Sequence, residues 1–261
     1  MDNNFFAQLQ AISMLQAETT VSSLRKQLNE IVAFFKSRPQ YLEEVTIMAE
    51  QVRFLDVQTL LDCDSFMVQD DWLMTELPEE LQHDSLGFCS GMYCNFQGRY
   101  VYPVKDVHGD VMGFTGYDKF SEVKYLDSKN VGYKAKSYSF WGMERLPAYY
   151  RSKDPVFFVE GIVCALYLRQ CGMQSLAYLG SNLSPYQVEI MKRFGTRAIV
   201  VCDSDEAGTR TRKSLKYKNP IARVVQSRIA KDIDDSRLVD ERFAVELSKL
   251  SNPYYHSTLF S

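Results

Sequence analysis

The chain has 261 residues, of which 46% are apolar and 24% are charged, and it contains 13 glycines and 8 prolines. These values are typical of a globular protein and exclude a disordered or fibrous chain. The apolar runs are too short to span a membrane, and the N-terminus lacks the basic start and apolar run of a signal peptide. The sequence therefore predicts a soluble, cytoplasmic protein without a membrane partner.

The net charge of −3 is distributed unevenly along the chain. Residues 1–98 carry 15 acidic and 5 basic side chains, a net of −10, whereas residues 99–261 carry 18 acidic and 25 basic side chains, a net of +7. Such an excess of positive charge indicates that the C-terminal two thirds binds an anion, with a mixed solvated surface as the alternative.

Residues 1–75 have the periodicity of helices. Apolar residues recur at steps of three and four, which predicts an amphipathic helix that ends at Arg38-Pro39. They are Val21, Leu24, Leu28, Ile31 and Phe35. Two further helices are predicted over Tyr41–Ala49 and Asp56–Leu61. Ordinary packing explains the stripe better than a partner-binding helix does, and residues 70–98 are acidic and irregular.

At Arg99 the period changes to that of strands. RYVYPVKD (99–106) and VMGFTGY (111–117) predict two strands joined by a tight turn at His108-Gly109-Asp110. KYLDS (124–128) follows, then a lysine-rich stretch to Lys136 and a helix-like segment over 139–150.

From Pro155 onward, strands and helices alternate. Four short apolar strands are separated by helices of about ten residues, which predicts a parallel sheet with right-handed crossovers. The strands are VFFVEG (156–161), SLAYLG (175–180), RAIVVCD (197–203) and IARVVQS (221–227). Ser184-Pro185 predicts a capped helix start, and a last helix is expected over Asp235–Leu250.

The six cysteines do not form a pattern that binds zinc. Cys164, Cys171 and Cys202 lie in apolar periodic segments and are predicted to be buried. Cys89 and Cys94 lie near His83 and Cys63 in the sequence, but there is no CxxC pair. Free thiols and no zinc are therefore expected.

Five carboxylates follow the ends of three predicted strands. They are Glu160, Asp203, Asp205, Asp232 and Asp234. Since ligands of an open parallel sheet bind beyond the carboxyl ends of its strands, these groups are expected to lie in one crevice. Clustered carboxylates without histidine favour Mg²⁺ or Mn²⁺, and hence phosphoryl transfer, nucleotidyl transfer or phosphodiester cleavage. For any single aspartate, a helix N-cap or a solvated loop is the alternative, and Glu206 is interpreted as a first-turn charge.

These residues resemble the Toprim module of primases, topoisomerases and some nucleases. The pattern reads Glu160-Gly161 after a strand and then Asp203-Ser204-Asp205-Glu206-Ala207-Gly208. The segments in front of it, RYVYPVKDVHGDVMGFTGY, KYLDS and FWGMERL, resemble the catalytic core of bacterial DnaG primases in the same order. The resemblance covers about residues 95–240, and LGSNLSPYQ and KDIDD continue it.

The resemblance implies a role for each matching residue. Glu160 takes the position of the essential glutamate, and catalysis is expected from Glu160, Asp203 and Asp205. Two metal ions, Mg²⁺ or Mn²⁺, would be held by Glu160, Asp203, Asp205, Asp232 and Asp234. Template and nucleotide binding is assigned to Arg99, Lys105, Lys124 and Lys136.

The sequence also departs from the family pattern. Cys164 stands where the family usually has an aspartate, and Thr115-Gly116-Tyr117 replaces Gly-Gly-Arg, with Lys119 as a candidate replacement for the missing arginine. No zinc-ribbon pattern precedes the core, so a separate zinc-binding protein or a replicative helicase is the expected partner for template selection. The expected setting is a bacterial cell or a phage-infected host.

The expected fold is α+β followed by α/β. A helical N-terminal segment (1–75) would be followed by a small mixed α+β basic subdomain (76–154), a Toprim parallel-sheet domain (155–235) and a C-terminal helix with tail (236–261). The expected function is RNA primer synthesis on single-stranded DNA from ribonucleoside triphosphates. A Toprim metal-dependent endonuclease and a non-catalytic adaptor in a replication complex are the alternatives.

Overall fold

The structure is a computed structural model that describes two compact units, Met1–Lys136 and Ser137–Ser261. The described residues are 22–52, 55–68, 77–83, 86–88, 96–128, 139–180, 183–219, 222–228, 242–250, 252, 254–255, 257 and 259–260. Predictions for Val21, Cys89, Cys94, Lys136, Asp232 and Asp234 lie outside these residues. The four domain boundaries drawn from the sequence stay a prediction.

In its described residues, the first unit combines three helices with an antiparallel sheet. Its elements are α1 (Ser22–Ser37), α2 (Tyr41–Gln51), α3 (Val57–Leu61), β1 (Phe66–Met67), a 3₁₀ turn (Glu79–Leu81), β2 (Tyr100–Lys105), β3 (Val111–Tyr117) and β4 (Tyr125–Asp127). The strands pair in the order β1-β2-β3-β4, and every described pair is antiparallel.

The predicted apolar stripe of α1 forms part of the core of this unit. Leu28, Ile31 and Phe35 are fully buried, because residues three and four apart share one face of the helix. The Phe35 ring stacks on Phe66 of β1 with 3.9 Å between ring centroids, and Phe66 meets Phe114 of β3 edge to face. The stripe therefore serves packing, as its interpretation from the sequence favoured.

The turn between β2 and β3 is held by Asp106, which is fully buried. Its carboxylate accepts hydrogen bonds from the backbone N–H groups of His108 (2.8 Å) and Asp110 (3.1 Å). Gly109 has φ +90°, a conformation that glycine adopts without steric cost. The predicted tight turn at His108-Gly109-Asp110 is confirmed.

The second unit is built around a parallel sheet. Its described elements are a 3₁₀ turn (Met143–Arg145), α4 (Leu146–Arg151), β5 (Val156–Val159), α5 (Ile162–Gln170), β6 (Gln174–Ala177), α6 (Pro185–Phe194), a second 3₁₀ turn (Gly195–Arg197), β7 (Ala198–Cys202), α7 (Glu206–Lys218), β8 (Arg223–Gln226) and α8 (Phe243–Lys249). The strand order is β6-β5-β7-β8, and all three strand pairs are parallel. Strands β5 and β7 are buried along their whole length, as expected where both faces of a parallel sheet are covered.

Helix α6 begins as the sequence predicts. Ser184 and Gln187 form a capping box, in which each side chain accepts from the other residue's backbone N–H. The amide nitrogen of Gln187 also donates to the carbonyl oxygens of Ser139 (2.8 Å) and Tyr178 (3.0 Å). The cap thus also ties the start of α6 to the segment that leaves β6.

The predicted fold class is confirmed, with one correction among the cysteines. Cys164 and Cys202 are buried as expected, but Cys171 is exposed. The prediction was wrong for Cys171 because this residue follows the last residue of α5 and turns outward ahead of Gly172, which has φ +76°. In the part of the chain that the structure describes, no helix is long and apolar enough to cross a membrane.

Candidate functional site

Two of the predicted carboxylates lie at neighbouring strand ends. In the pairing of β5 with β7, Phe158 lies opposite Val200. Glu160 directly follows the last residue of β5, and Asp203 directly follows Cys202, the last residue of β7. Both carboxylates are partly exposed at the carboxyl edge of the sheet.

The electrostatics of two buried groups also place these carboxylates together. Burial, and after it the negative charges of Asp203 and Glu160, together raise the pKa of the Cys202 thiol to about 12, against the opposing charge of Arg212. The Tyr178 hydroxyl is nearly fully buried, and its pKa is raised by this burial and then by Cys202, Glu160 and Asp203. The negative charges of Glu160 and Asp203 thus act on the same two buried groups.

Asp205 takes part in the start of α7. It is the N-cap residue, and its Oδ1 accepts a hydrogen bond from the backbone N–H of Gly208 at 2.8 Å. The hydroxyl of Thr209 donates to the Asp205 carbonyl at 2.9 Å. The N-cap alternative considered for a single aspartate is thus what the structure shows for Asp205, and its metal-binding role stays a prediction.

The glycine that ends the Asp-Ser-Asp-Glu-Ala-Gly segment allows α7 to contact the Asp203 backbone. A Cβ added to Gly208 would lie 2.0 Å from the carbonyl oxygen of Asp203 and 2.8 Å from its carbonyl carbon. Such distances are far below van der Waals contact, so only glycine fits at this position. The glycine therefore sets the distance between the first turn of α7 and the end of β7.

A polar network behind Asp203 was not predicted from the sequence. The amide nitrogen of Gln226, the last residue of β8, donates to the carbonyl oxygen of Asp203 (2.8 Å) and to the hydroxyl of Thr209 (3.2 Å). Arg212 of α7 donates in turn to the amide oxygen of Gln226 at 3.1 Å. The one available signal was a polar residue at the carboxyl end of an otherwise apolar strand.

The residue at the family's aspartate position lies close to the same group of side chains. Cys164 is buried on α5, and its charge is among those that raise the pKa of Tyr178. A thiol with little exposure cannot replace a carboxylate as a ligand for a hard cation. The structure thus places a buried thiol where the family pattern has an acid.

The donor chemistry of the site fits Mg²⁺ or Mn²⁺ better than zinc. Glu160 and Asp203 offer carboxylate oxygens, which hard cations prefer. The nearby Cys202 thiol, with its pKa of about 12, stays protonated at neutral pH and is a poor metal ligand. Among the described residues no group of three or more His, Cys, Asp or Glu side chains is placed to hold a metal ion. Asp232 and Asp234 are outside those residues, so their share of the site stays a prediction.

Two of the four predicted basic residues have partners within the first unit. Arg99 is buried and donates to the carbonyl oxygens of Val123 (3.0 Å) and Lys124 (3.2 Å), which holds the loop before β4. Lys105 forms an ion pair with Asp64. The side chain of Lys124 is exposed. The template-binding role of Arg99, Lys105, Lys124 and Lys136 stays a prediction.

Lys119, the candidate replacement for the missing arginine, is exposed. Its ammonium group donates to the carbonyl oxygen of Gln51 at 3.1 Å and lies 4.8 Å from the centroid of the Phe120 ring. Thr115, in the segment that departs from Gly-Gly-Arg, donates to the carboxylate of Asp127 at 2.8 Å.

The second unit thus combines a parallel sheet, carboxylates at the ends of β5 and β7, and an Asp-x-Asp segment that caps the next helix. Residues 157–236 match the family described as Toprim-like. Among the relatives, the DNA primase of Synechocystis sp. is 27% identical over 248 residues, which cover 82% of this chain and 38% of that protein. The chain therefore spans well under half of that relative.

Solved structures of DnaG catalytic cores resemble this chain. The E. coli primase catalytic core superposes with a TM-score of 0.69 at 19% identity, over 86% of this chain and 79% of that one. A DnaG primase catalytic domain bound to single-stranded DNA gives a TM-score of 0.67 at 18% identity, over 91% and 80%. The predicted resemblance to a DnaG-type primase core with a Toprim domain is confirmed.

Proposed function

We propose that this chain is the catalytic subunit of a DnaG-like primase, which makes short RNA primers on single-stranded DNA by metal-dependent nucleotidyl transfer. The observation that carries the proposal is the convergence of Glu160 and Asp203 at adjacent strand ends of a Toprim-like sheet. The curated relatives are named DNA primases, which supports an enzyme of this class.

In this proposal the carboxylates of Glu160, Asp203 and Asp205, with Asp232 and Asp234, hold two divalent ions. Bound Mg²⁺ or Mn²⁺ supplies activation of the attacking hydroxyl and neutralises charge on the triphosphate. The 3′-oxygen forms a bond to the α-phosphorus of the incoming nucleotide, and the bond to the pyrophosphate oxygen breaks. Glu160 is either a ligand or the base that takes the hydroxyl proton. Gln226 and Gly208 hold the Asp203 backbone in place for this step.

The proposed partners are a single-stranded DNA template, ribonucleoside triphosphates and a protein for template selection. One related DnaG catalytic domain was solved bound to single-stranded DNA. The related Aquifex aeolicus primase structure contains zinc-binding and RNA polymerase domains. These neighbours support the single-stranded DNA template, and a replicative helicase or a separate zinc-binding protein is the partner proposed for template selection.

The second candidate is a non-catalytic adaptor, and the buried Cys164 is the observation that favours it. With a thiol at the family's aspartate position, the site has one carboxylate fewer to bind a cation. This reading predicts no stabilisation by Mg²⁺, whereas a competent site binds the ion in the folded state and is stabilised by it.

The test is ribonucleotide incorporation on single-stranded DNA with Mg²⁺ or Mn²⁺, for the wild type and for Asp203→Ala. We expect the variant to lose activity by roughly 100-fold or more, because a group that stabilises transition-state charge is removed. Glu206→Ala is the matched control, since its carboxylate is 90% exposed three residues further on and its loss should leave incorporation unchanged.

Three outcomes separate the candidates. Incorporation by the wild type that disappears in Asp203→Ala supports the primase. Nicking of DNA without nucleotides identifies the Toprim endonuclease. If the wild type shows neither activity, even with a helicase present, and Mg²⁺ leaves its melting temperature unchanged, the primase proposal is refuted and the adaptor remains.

A further inference from the structure

Helix α7 carries much of the positive charge of the C-terminal part of the chain. Its 13 residues include five basic residues and one acidic residue, a net of +4 out of the +7 carried by residues 99–261. The proposed nucleotidyl transfer uses only the start of this helix, at Asp205. The remaining charge calls for a separate explanation.

The helix has two faces of different chemistry. Gly208, Thr211 and Leu215 are buried on the side of the sheet. Arg210, Lys213 and Tyr217, spaced by three and four residues, share the opposite, exposed face, because such spacings align on a helix. The Arg210 side chain is 66% exposed, and Tyr217 is 90% exposed, which is unusual for a large aromatic residue.

We propose that this exposed face of α7, formed by Arg210, Lys213, Tyr217 and Lys218, binds single-stranded DNA. Lysine and arginine neutralise backbone phosphates independently of sequence, and an exposed aromatic ring stacks on an unpaired base. The described ion pair of Arg210 is with Glu206, whose carboxylate is 90% exposed. Such an exposed pair contributes little, so Arg210 can exchange its carboxylate partner for a phosphate at small cost.

Helix α7 begins next to the carboxylate site, so DNA bound along its exposed face would lie close to that site. The helix starts at its cap, Asp205, two residues after Asp203, and extends about 20 Å from there. A DNA strand bound along the exposed face of α7 would therefore extend away from the carboxyl ends of β5 and β7. A role of α7 in guiding the DNA template rests on the proposed function, because the carboxylate site would act on that DNA. The binding of DNA to α7 does not itself depend on catalysis.

The first test removes two charges. Binding of the full chain to a fluorescently labelled oligothymidylate is measured by anisotropy at several salt concentrations, with a chelator and without nucleotides. We expect Arg210→Gln/Lys213→Gln to bind about tenfold more weakly and to lower the salt slope of log K by about 1.4, because two phosphate contacts are lost.

The matched control removes two charges elsewhere in the same unit. Lys192 and Lys249 are 42% and 48% exposed, and each pairs with a glutamate three residues before it. The variant Lys192→Gln/Lys249→Gln should keep the affinity and salt slope of the wild type. If Arg210→Gln/Lys213→Gln binds like this control, or if both lose affinity equally, the proposed surface is wrong.

The second test isolates stacking. Tyr217→Leu keeps an apolar side chain without a ring and should bind oligothymidylate about tenfold more weakly, whereas Tyr217→Phe should bind like the wild type. Neither change should alter binding to a blunt duplex, whose bases are already stacked. Equal losses for Leu and Phe, or a loss confined to duplex DNA, would overturn the assignment to single strands.

A failure of the α7 proposal can be distinguished from a failure of the proposed function. If the chain synthesises no primer but shows the expected changes in DNA binding, the proposed function is refuted and the α7 surface is supported. If the chain makes primers and the α7 variants bind DNA like the wild type, the proposed function is supported and the α7 surface is refuted.

Discussion

The contact between Gly208 and Asp203 makes the substitution Gly208→Ala a demanding test of the site geometry. The new methyl group would lie 2.0 Å from the Asp203 carbonyl oxygen and 2.9 Å from its backbone nitrogen, where ordinary contact begins at 3.4 Å. The obstructing atoms belong to the backbone, so no change of rotamer relieves the overlap. The first turn of α7 must therefore retreat from the end of β7 by more than an ångström.

The cost of this retreat follows from two opposing terms. Overpacking in a well-packed region typically destabilises by about 1–3 kcal/mol. Alanine is a better helix former than glycine and returns at most about 1 kcal/mol. Because the clash is with backbone, we expect the first term to prevail and the free energy of unfolding to fall by about 1–2 kcal/mol. Primer synthesis should fall as well, since the carboxylates of Asp203 and Asp205 move relative to each other.

The assay is urea unfolding followed by tryptophan fluorescence in a Trp72→Phe background, which leaves the buried Trp141 of the second unit as the reporter. Ser214→Ala in the middle of the same helix is the control, and it should be neutral or slightly stabilising because it only improves helix propensity. If Gly208→Ala were as stable and as active as Ser214→Ala, the close approach of α7 to Asp203 would be refuted.

Two further predictions concern hydrogen bonds and charge. Gln226→Ala removes the donor to the Asp203 carbonyl and should lower the free energy of unfolding by about 1–3 kcal/mol in the same assay, because a carbonyl is left unsatisfied; an unchanged value would show that the network does not support Asp203. Partial burial raises the pKa of the Asp64 carboxyl, but Lys105 and Lys36 outweigh this effect and lower it below its ordinary value. The stabilisation from this ion pair is therefore complete above the unfolded pKa of about 4 and is lost as the pH falls through the lower folded pKa. Asparagine tolerates the φ of +57° at this position, so Asp64→Asn changes the charge and not the backbone. Its free energy of unfolding should therefore be lower than that of the wild type at neutral pH and equal to it in acid. A difference in unfolding free energy that does not change with pH would contradict the assignment.

Local patterns in the sequence were sufficient for most of the helices and strands. The stripe of Leu28, Ile31 and Phe35 and the capped start at Ser184 depend on residues a few positions apart, and the structure confirms both. The alternation of strand and helix after Pro155 likewise predicted a parallel sheet, because a crossover helix between adjacent strands requires one. The carboxylates at strand ends followed from this topology.

Other features of the site depend on contacts between residues that are distant in sequence. The order β6-β5-β7-β8 places the carboxyl ends of β5 and β7 next to each other, and no local periodicity specifies such pairing. The Gln226 bond to Asp203 spans 23 residues, and it arises only once β8 lies beside β7.

The basic residues show most clearly which properties follow from the sequence and which depend on tertiary contacts. By sequence, Arg99 and Arg210 are both arginines in the positively charged part of the chain. The folded structure buries Arg99 against the carbonyl oxygens of a loop and leaves Arg210 on an exposed helix face. Composition thus determined how much positive charge this protein carries. Tertiary packing decided which of these charges bind the protein's own backbone and which face the solvent, because burial depends on neighbours that only the fold brings together.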